Sequence, residues 1–365
     1  MQRSLRQYDP PQRSVTAANT PSSRPGFTLI ELMVVIIVIA ILAAMMLPAI
    51  NSVRSRALDA KVVTDIKNIE AAIAAFKAKY GVEPPSSFRL HEDGVWSMSD
   101  NLDKNSVAIM RQLWPTFPLR SSGSSMVVVD PMGSPSPIGD FNGNGSATDV
   151  FTLNGAECLI FFLGGPGLLN ISGGSSIPVP QSVTANGFSA NPSNPFAGGG
   201  SRVGPFLELD ASRLSDVNGN GAYELLDPYL NQTRPYQYLS SYNGRAYQPF
   251  GYDGNPGTAD DEVIVLNGVP TMFSIYLKTD TATASAIPQG SAWNTKTFQL
   301  ISPGRDAEYG VGGLFTVPGT NTNGDGIGVR ASDTYRNSAK RQFEIDNITN
   351  FSRGPLQKTF TPAGW

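Results

Sequence analysis

A loop of oxygen-bearing side chains lies near the middle of the chain, at residues 216–227. Its spacing is that of an EF-hand calcium loop, with oxygen donors at positions one, three, five, nine and twelve and Gly221 at position six for the sharp turn. The candidate ligands are Asp216, Asn218, Asn220, Glu224 and Asp227. Asp stands at position twelve in place of the usual bidentate Glu, and the rest of the pattern predicts that calcium binds here.

Two further loops share parts of this pattern. The first opens with the same alternation and lacks an acid at position twelve, and its candidate ligands are Asp140, Asn142 and Asn144. The second precedes an apolar run, and its candidate ligands are Asp253, Asn255, Asp260 and Asp261. Hard oxygen donors without His or Cys suit calcium rather than zinc or copper. A turn without any ion is the alternative for each loop, because Asn, Asp and Gly form such turns unaided.

Catalytic chemistry has little support in the sequence. His91, the only histidine, stands in a polar stretch with no visible nucleophile, and Cys158 is the only cysteine. The sequence contains no nucleophile elbow, phosphate-binding loop or His-Glu-x-x-His motif. A glycosidase built on a carboxylate pair such as Asp260 and Asp261 stays open on sequence alone. We expect a protein that is not an enzyme.

One acid, Glu31, interrupts the apolar run at residues 27–50. About 20 apolar residues suffice to cross a bilayer core, so this run predicts a membrane helix. An ionised group inside a membrane costs roughly 2.5 to 3.5 kcal/mol on insertion scales, and we therefore expect Glu31 to have a partner. Cleavage between Gly26 and Phe27 would create a free amine within one turn of Glu31. If the amine belongs to a neighbouring helix, the pairing builds a polymer.

Residues 24–35, Arg-Pro-Gly-Phe-Thr-Leu-Ile-Glu-Leu-Met-Val-Val, resemble the processing site of type IV pilins and of the pseudopilins of type II secretion systems. The resemblance implies that a prepilin peptidase cuts after Gly26 and methylates the amine of Phe27. It also implies that Glu31 pairs with Phe27 of an adjacent subunit, and that Pro48 lies where the first helix of the family commonly kinks. An inner-membrane assembly platform and its ATPase would then extract the subunit into a filament of identical copies and other pseudopilins.

Several alternatives remain at this stage. The acidic loop at Asp253 and the lack of a cysteine pair favour a type II secretion pseudopilin, closest to the major type. A type IV pilus subunit, major or minor, is the alternative, with an adhesive head that binds through large loops such as residues 177–201. A secretory signal peptide has a shorter apolar region, and a plain signal anchor gives no reason for Gly26 or Glu31. A secreted enzyme would instead begin near Asn51.

The charge pattern predicts the location of the chain. Four arginines and one aspartate precede the apolar run, which places residues 1–26 in the cytoplasm and everything after residue 50 across the membrane. We therefore expect a single-pass protein of the bacterial inner membrane with its head in the periplasm, later a periplasmic or cell-surface filament. The formal net charge of −3 gives no indication of nucleic acid binding.

The predicted organisation has four parts. Residues 1–26 form a leader peptide, 27–50 a transmembrane and filament-core helix, 51–82 an amphipathic helix and 83–365 a β-rich head. The amphipathic stripe consists of Val62, Ile66, Ile69, Ile73, Phe76 and Tyr80, and Gly81 with the following prolines predicts its end. Strands are predicted at residues 126–129, 158–163, 262–266, 272–277 and 297–301. The fold class is α+β, with the long helix packed on a head that carries large loops.

Overall fold

The computed structural model describes residues 26–169, 185–252, 254–258, 260–266, 269–272, 275–278, 292–316, 326–327, 342–352 and 354–356. It divides into two units, Met1–Arg54 and Ser55–Trp365, and we call the second unit the head. A long apolar helix is followed by many short strands, so the predicted α+β class is confirmed.

Helix α1 (Leu29–Tyr80) provides the first unit and the start of the head. Gly81 ends it as predicted, with φ of +81° and its amide donating to the Lys77 carbonyl at 2.8 Å. The helix continues through Pro48 without a break, so any distortion at this proline stays local.

The two units differ in how far their apolar side chains are exposed to solvent. In the first unit, every side chain described between residues 26 and 54 is exposed. Mean hydropathy reaches 3.0 in its most apolar window, and by length and composition this helix is able to cross a membrane. In the head, the stripe from Val62 to Phe76 is buried to 1% exposure or less, and Tyr80 is half-buried. The predicted amphipathic segment is therefore confirmed.

Two shorter α-helices complete the helical part of the described head. Helix α2 (Asn101–Leu113) begins at Asp100, whose side chain accepts the Asp103 amide. Helix α3 (Gly155–Gly164) begins with a capping box between Asn154 and Glu157, and all ten of its residues are buried. Short 3₁₀ turns lie at Pro166–Leu168, Ala211–Arg213 and Gln342–Glu344.

The strands of the described head are short. They are β1 (Phe88–His91), β2 (Val95–Ser97), β3 (Leu119–Ser122), β4 (Ser125–Val128), β5 (Val150–Leu153), β6 (Phe188–Ser189), β7 (Arg202–Val203), β8 (Leu214–Ser215), β9 (Glu224–Leu225), β10 (Gln237–Ser240), β11 (Val265–Leu266), β12 (Val269–Pro270), β13 (Tyr276–Leu277), β14 (Phe298–Ser302), β15 (Gly313–Thr316), β16 (Gly326–Ile327) and β17 (Ile348–Thr349).

These strands form several small sheets. Three of them have three strands, in the orders β2-β4-β3, β10-β14-β17 and β13-β15-β16, and only the β13–β15 pair among the described pairs is parallel. The others are two-stranded: β1-β5, β6-β7, β8-β9 and β11-β12. Helix α3 contacts both β9 and β10, and the buried stripe of α1 belongs to the same core cluster as α3. Phe76 meets Phe162 edge to face, with ring centroids 5.9 Å apart.

The secondary structure corrects one prediction and extends others. Residues 158–163 form part of α3, so the predicted strand is wrong there. Because every residue of α3 is buried, its apolar run has no polar face to reveal a helical period. The predicted strands at 126–129 and 297–301 match β4 and β14. Of the predicted strand at 262–266 only β11 forms, and β13 lies at the end of the predicted strand at 272–277, of which residues 273–274 lie outside the described residues. Of the predicted loop 177–201, residues 177–184 lie outside the described residues.

Candidate functional site

Glu31 closes the N-terminus of α1. One carboxylate oxygen, Oε2, accepts the backbone amide of Thr28 at 2.8 Å and its hydroxyl at 2.7 Å. In return, the Glu31 amide donates to the Thr28 hydroxyl oxygen at 3.3 Å. This reciprocal arrangement is a capping box, and a negative charge in the first turn also favours the helix dipole. Thr28 is the partner that the sequence prediction missed, although the Thr-x-x-Glu spacing carried the signal.

The capping box leaves the charge of Glu31 without a cationic partner, because both donors of Thr28 are neutral. Phe27 directly precedes Thr28 and is 86% exposed. An amine created at Phe27 by cleavage after Gly26 would therefore lie beside the cap. The same exposed position leaves this amine accessible to Glu31 of another copy.

Beyond the cap, the part of α1 in the first unit exposes large apolar side chains on all of its faces. Leu29 is 78% exposed, Ile39 58% and Met45 71%. Monomeric soluble proteins rarely expose a continuous apolar surface of this extent. Such a surface is typical of a segment that lipid or other helices cover.

The residues of this segment also match a known family. Residues 21–47 match the family model described as the prokaryotic N-terminal methylation motif. This motif indicates a type IV pilin-like prepilin, and together with the apolar helix it is consistent with membrane anchoring. Comparisons with curated proteins and with solved structures gave no match.

A second candidate site lies in the head, at residues 216–224, which we call the Asp216 loop. Oδ1 of Asp216 accepts the amides of Gly219 and Asn220 at 2.7 and 3.1 Å, and Oδ2 accepts that of Gly221 at 3.2 Å. The backbone reaches this shape because Gly219 and Gly221 adopt φ of +74° and +93°. The loop thus wraps its backbone around the carboxylate of its first residue.

Glu157, at the start of α3, is the acid that faces this loop. Its Oε1 accepts the side-chain amides of Asn218 and Asn220 at 2.7 and 2.9 Å, and its Oε2 accepts the Asn154 amide. Burial raises the pKa of Glu157, and the nearby charge of Asp216 adds to that rise. The sequence prediction missed Glu157 because it lies in an apolar run far from the loop.

Glu224 completes the group of buried acids. Its Oε2 accepts the Val217 amide at 2.9 Å, while its Oε1 has no donor among the described residues, and the Glu157 carboxyl group lies within hydrogen-bonding reach of this side chain. Burial raises the pKa of Glu224, and the charges of Glu157 and Asp216 raise it further. All three side chains are buried, at 1% exposure or less. The structure therefore brings four of the five predicted ligands of this loop together.

Asp227, the fifth predicted ligand, belongs to a different network. Its carboxylate accepts the Ser302 hydroxyl at 2.6 Å, the Gln232 side chain at 2.7 Å and the Tyr229 amide at 3.2 Å. These bonds tie the end of β9 to β14. Glu157, rather than Asp227, is the acid that contacts the two asparagines of the loop.

The loop at residues 140–149, which we call the Asp140 loop, repeats this geometry at the surface. Asp140 accepts the amides of Gly143 at 2.7 Å and of Gly145 at 2.8 Å. The side-chain amides of Asn142 and Asn144 both reach Oδ2 of Asp149, at 2.7 and 2.6 Å. Asp149 thus takes the place that Glu157 has at the Asp216 loop, and it is half-buried rather than buried.

The third predicted loop is held by its own hydrogen bonds. Asp260 accepts the Tyr252 amide at 2.6 Å, and Asp261 accepts the Gly257 amide at 2.8 Å. The carbonyl of Asn255 accepts the Thr258 hydroxyl at 3.0 Å, and Asp253 lies outside the described residues. No three His, Cys, Asp or Glu side chains within the described ranges are arranged to hold a metal by themselves. A metal site anywhere in these ranges therefore needs amide or backbone oxygens as well.

The two residues with nucleophile or base chemistry have structural partners. The Nε2 atom of His91 lies 3.1 Å from Oδ1 of Asp103, and its ring meets Trp96 edge to face. The thiol of Cys158 contacts the Leu153 carbonyl at 3.5 Å, and complete burial raises its pKa, which keeps it protonated.

Proposed function

We propose that this chain is a structural subunit of a type II secretion pseudopilus, cleaved and N-methylated by a prepilin peptidase. The observation that carries the proposal is the combination of the methylation motif with a helix whose described apolar side chains are all exposed as far as residue 54. In this proposal the chain acts by assembly, not by catalysis. An inner-membrane platform and its ATPase move it from the membrane into the filament, beside identical copies and other pseudopilins.

The exposed helix supports assembly because it needs two kinds of surroundings in succession. Before assembly, lipid covers side chains such as Ile39, and the head lies in the periplasm. After extraction, the same side chains are covered by helices of neighbouring subunits. Glu31 sets how neighbouring copies align, because an ionised acid inside this apolar environment is stabilised most by the free amine of Phe27 on an adjacent copy.

A type IV pilus subunit with an adhesive head is the second candidate. The same N-terminal chemistry supports it, and the large Gly- and Asn-rich loops of the head offer surface for a ligand. The number of copies of this chain in a sheared filament distinguishes a body subunit from a tip subunit, because a body subunit is abundant there and a tip subunit is rare. Loss of protein secretion on deletion, without loss of surface adhesion, supports the pseudopilus.

The capping box allows a sharper experiment on Glu31 than simple truncation. Glu31→Gln removes the charge and keeps a residue able to complete the box, since Gln serves at this position. Thr28→Ala is the matched control, because it removes the hydroxyl of the cap and keeps the charge. Each variant is produced in cells with the peptidase and assembly machinery, and the mature N-terminus is read by mass spectrometry.

We expect wild type and both variants to begin with methylated Phe27. Glu31→Gln should then be depleted from sheared filaments by about tenfold or more, because a charge-assisted hydrogen bond contributes roughly 1.5 to 3 kcal/mol. Thr28→Ala should assemble nearly as wild type does. Normal assembly of Glu31→Gln would reduce Glu31 to a helix cap, and mature protein that keeps residues 1–26 would refute the proposed processing.

A further inference from the structure

We infer that the head binds calcium between the Asp216 loop and the first turn of α3. The buried acid Glu224 is a direct ligand, and Asp216, Asn218 and Asn220 supply further oxygens. Glu157 faces the ion as a second buried acid and orients the two amides. This site is independent of the filament role.

The first observation is a buried carboxylate oxygen of Glu224 that has no hydrogen-bond donor among the described residues. Oε1 of Glu224 is completely buried and accepts no hydrogen bond from a donor among the described residues; the side chain that approaches Glu224 is another acid, Glu157. A buried carboxylate oxygen without a donor is costly, and native structures rarely leave one without an explanation. A bound cation is such an explanation, because it replaces the missing donor.

The second observation is an excess of negative charge. Glu157, Asp216 and Glu224 are buried together, and none of them takes part in the ion pairs of the described residues. Their hydrogen-bond donors are backbone and side-chain amides, which are neutral, and Glu157 and Glu224 also contact each other. Burial and mutual repulsion favour the protonated forms of these acids, and a divalent cation would let them ionise by balancing two of the three charges.

The third observation is that the loop keeps oxygens available for an ion. Oδ2 of Asp216 accepts only the Gly221 amide, and the Oδ1 atoms of Asn218 and Asn220 accept the amides of Asn220 and Ala222. A carboxylate or amide oxygen has two lone pairs, so each of these atoms retains one for a cation. Backbone bonds fix the loop, and the remaining lone pairs bind the ion.

The donor set favours calcium over magnesium. It consists of carboxylates and two neutral amide oxygens on a loop with left-handed glycines. Calcium accepts six to eight oxygens in irregular geometry, whereas magnesium demands a near-ideal octahedron and usually keeps several waters. A buried site with at least four protein oxygens leaves little room for those waters.

The Asp140 loop provides an internal comparison. Its backbone bonds are the same, yet its facing acid Asp149 is half-buried and its first residue Asp140 is exposed. No carboxylate oxygen of that loop is a buried atom without a partner within the described residues. The same sequence motif therefore lacks the group of buried acids, and between these two loops we infer calcium at the Asp216 loop only.

The test uses the full-length chain in detergent, stripped with a chelator and then returned to millimolar calcium or magnesium. Bound metal is counted by elemental analysis after dialysis, and thermal unfolding is followed in parallel. The variants are Glu224→Gln and Glu157→Gln, and the matched control is Asp140→Asn. Each Gln keeps the size of the side chain and removes its charge.

Wild type and Asp140→Asn should bind one calcium at this loop and melt at higher temperature with calcium than with chelator or magnesium. Glu224→Gln should lose calcium affinity by about tenfold or more, and Glu157→Gln should weaken it as well. In chelator, Glu224→Gln should melt at or above the wild-type temperature, since it lacks the buried charge; a merely structural acid would lower it. A wild-type melt that ignores calcium, or calcium binding lost only in Asp140→Asn, would overturn the inference.

Discussion

Because α1 runs through both units, the same substitution can be made at an exposed position and at a buried position of one helix. Ile39 and Ile69 lie on the same helix, but Ile39 is 58% exposed in the first unit and Ile69 is 1% exposed in the core of the head. Replacing either by Ala removes the same three carbon atoms. The pair therefore separates the contribution of the helix to folding from its contribution to assembly.

The expected magnitudes differ by several kcal/mol. At Ile69, the lost methyl and methylene groups contribute about 0.8 kcal/mol each, and the cavity left behind brings the total to roughly 2 to 5 kcal/mol. For a domain of this size, 1 kcal/mol shifts Tm by about 2 °C, so Ile69→Ala should lower the melting temperature of the head by about 4 to 10 °C. At Ile39 the change should stay within about 0.5 kcal/mol, because no packed neighbour in the chain is lost.

The assay is thermal unfolding of the full-length chain in detergent, followed by circular dichroism, together with the yield of sheared filament in cells. Ile69→Ala should reduce the melting temperature and, through it, the amount of subunit. Ile39→Ala should leave the melt unchanged and reduce filament yield at equal subunit level. Equal melting shifts for the two variants would refute the division of α1 into a buried half and an exposed half.

Two other predictions concern the head. Gly155→Ala should destabilise it by about 3 kcal/mol or more, because a Cβ there would overlap the Tyr238 carbonyl oxygen and the clash is with backbone; a melt equal to wild type would contradict this contact. Asp306 has its pKa raised to about 7, mainly by desolvation and then by the charge of Asp346. A folded-state pKa above the unfolded value gives stability that is fully present below the unfolded pKa of 3.8 and is lost as the pH rises through the folded pKa, so Asp306→Asn should flatten the decline of Tm between about pH 4 and 7. The effect should be below about 1 kcal/mol, because solvent reaches this side chain and screens its charge, and it is checked by melting both proteins across that range.

The helix α1 was predictable because its signals are local. Val62, Ile66 and Ile69 repeat at helical spacing, and Gly81 supplies the left-handed residue that ends the helix. Such patterns need no knowledge of the rest of the fold. The N-terminal motif was equally readable, because Gly26, Phe27 and Glu31 lie within a few residues of one another.

Helix α3 and the acid Glu157 were missed for one physical reason. Residues buried on all sides carry no periodic contrast, so the run around Cys158 resembles a buried strand as much as a helix. Glu157 is 61 residues from Asn218 in sequence, and only the folded head brings their side chains within hydrogen-bond distance. Spacing arguments find donors within a loop and cannot find the acid that a distant element brings to it.

The hexapeptide Asp-x-Asn-Gly-Asn-Gly occurs at residues 140–145 and again at 216–221, and it folds into the same turn both times. Its shape is thus carried by its own six residues, and such a cassette can be inserted at new places in a chain without being redesigned. The two copies differ in the residues that surround them. A lineage could therefore gain or lose an ionic requirement simply by moving this cassette toward or away from acids in the interior.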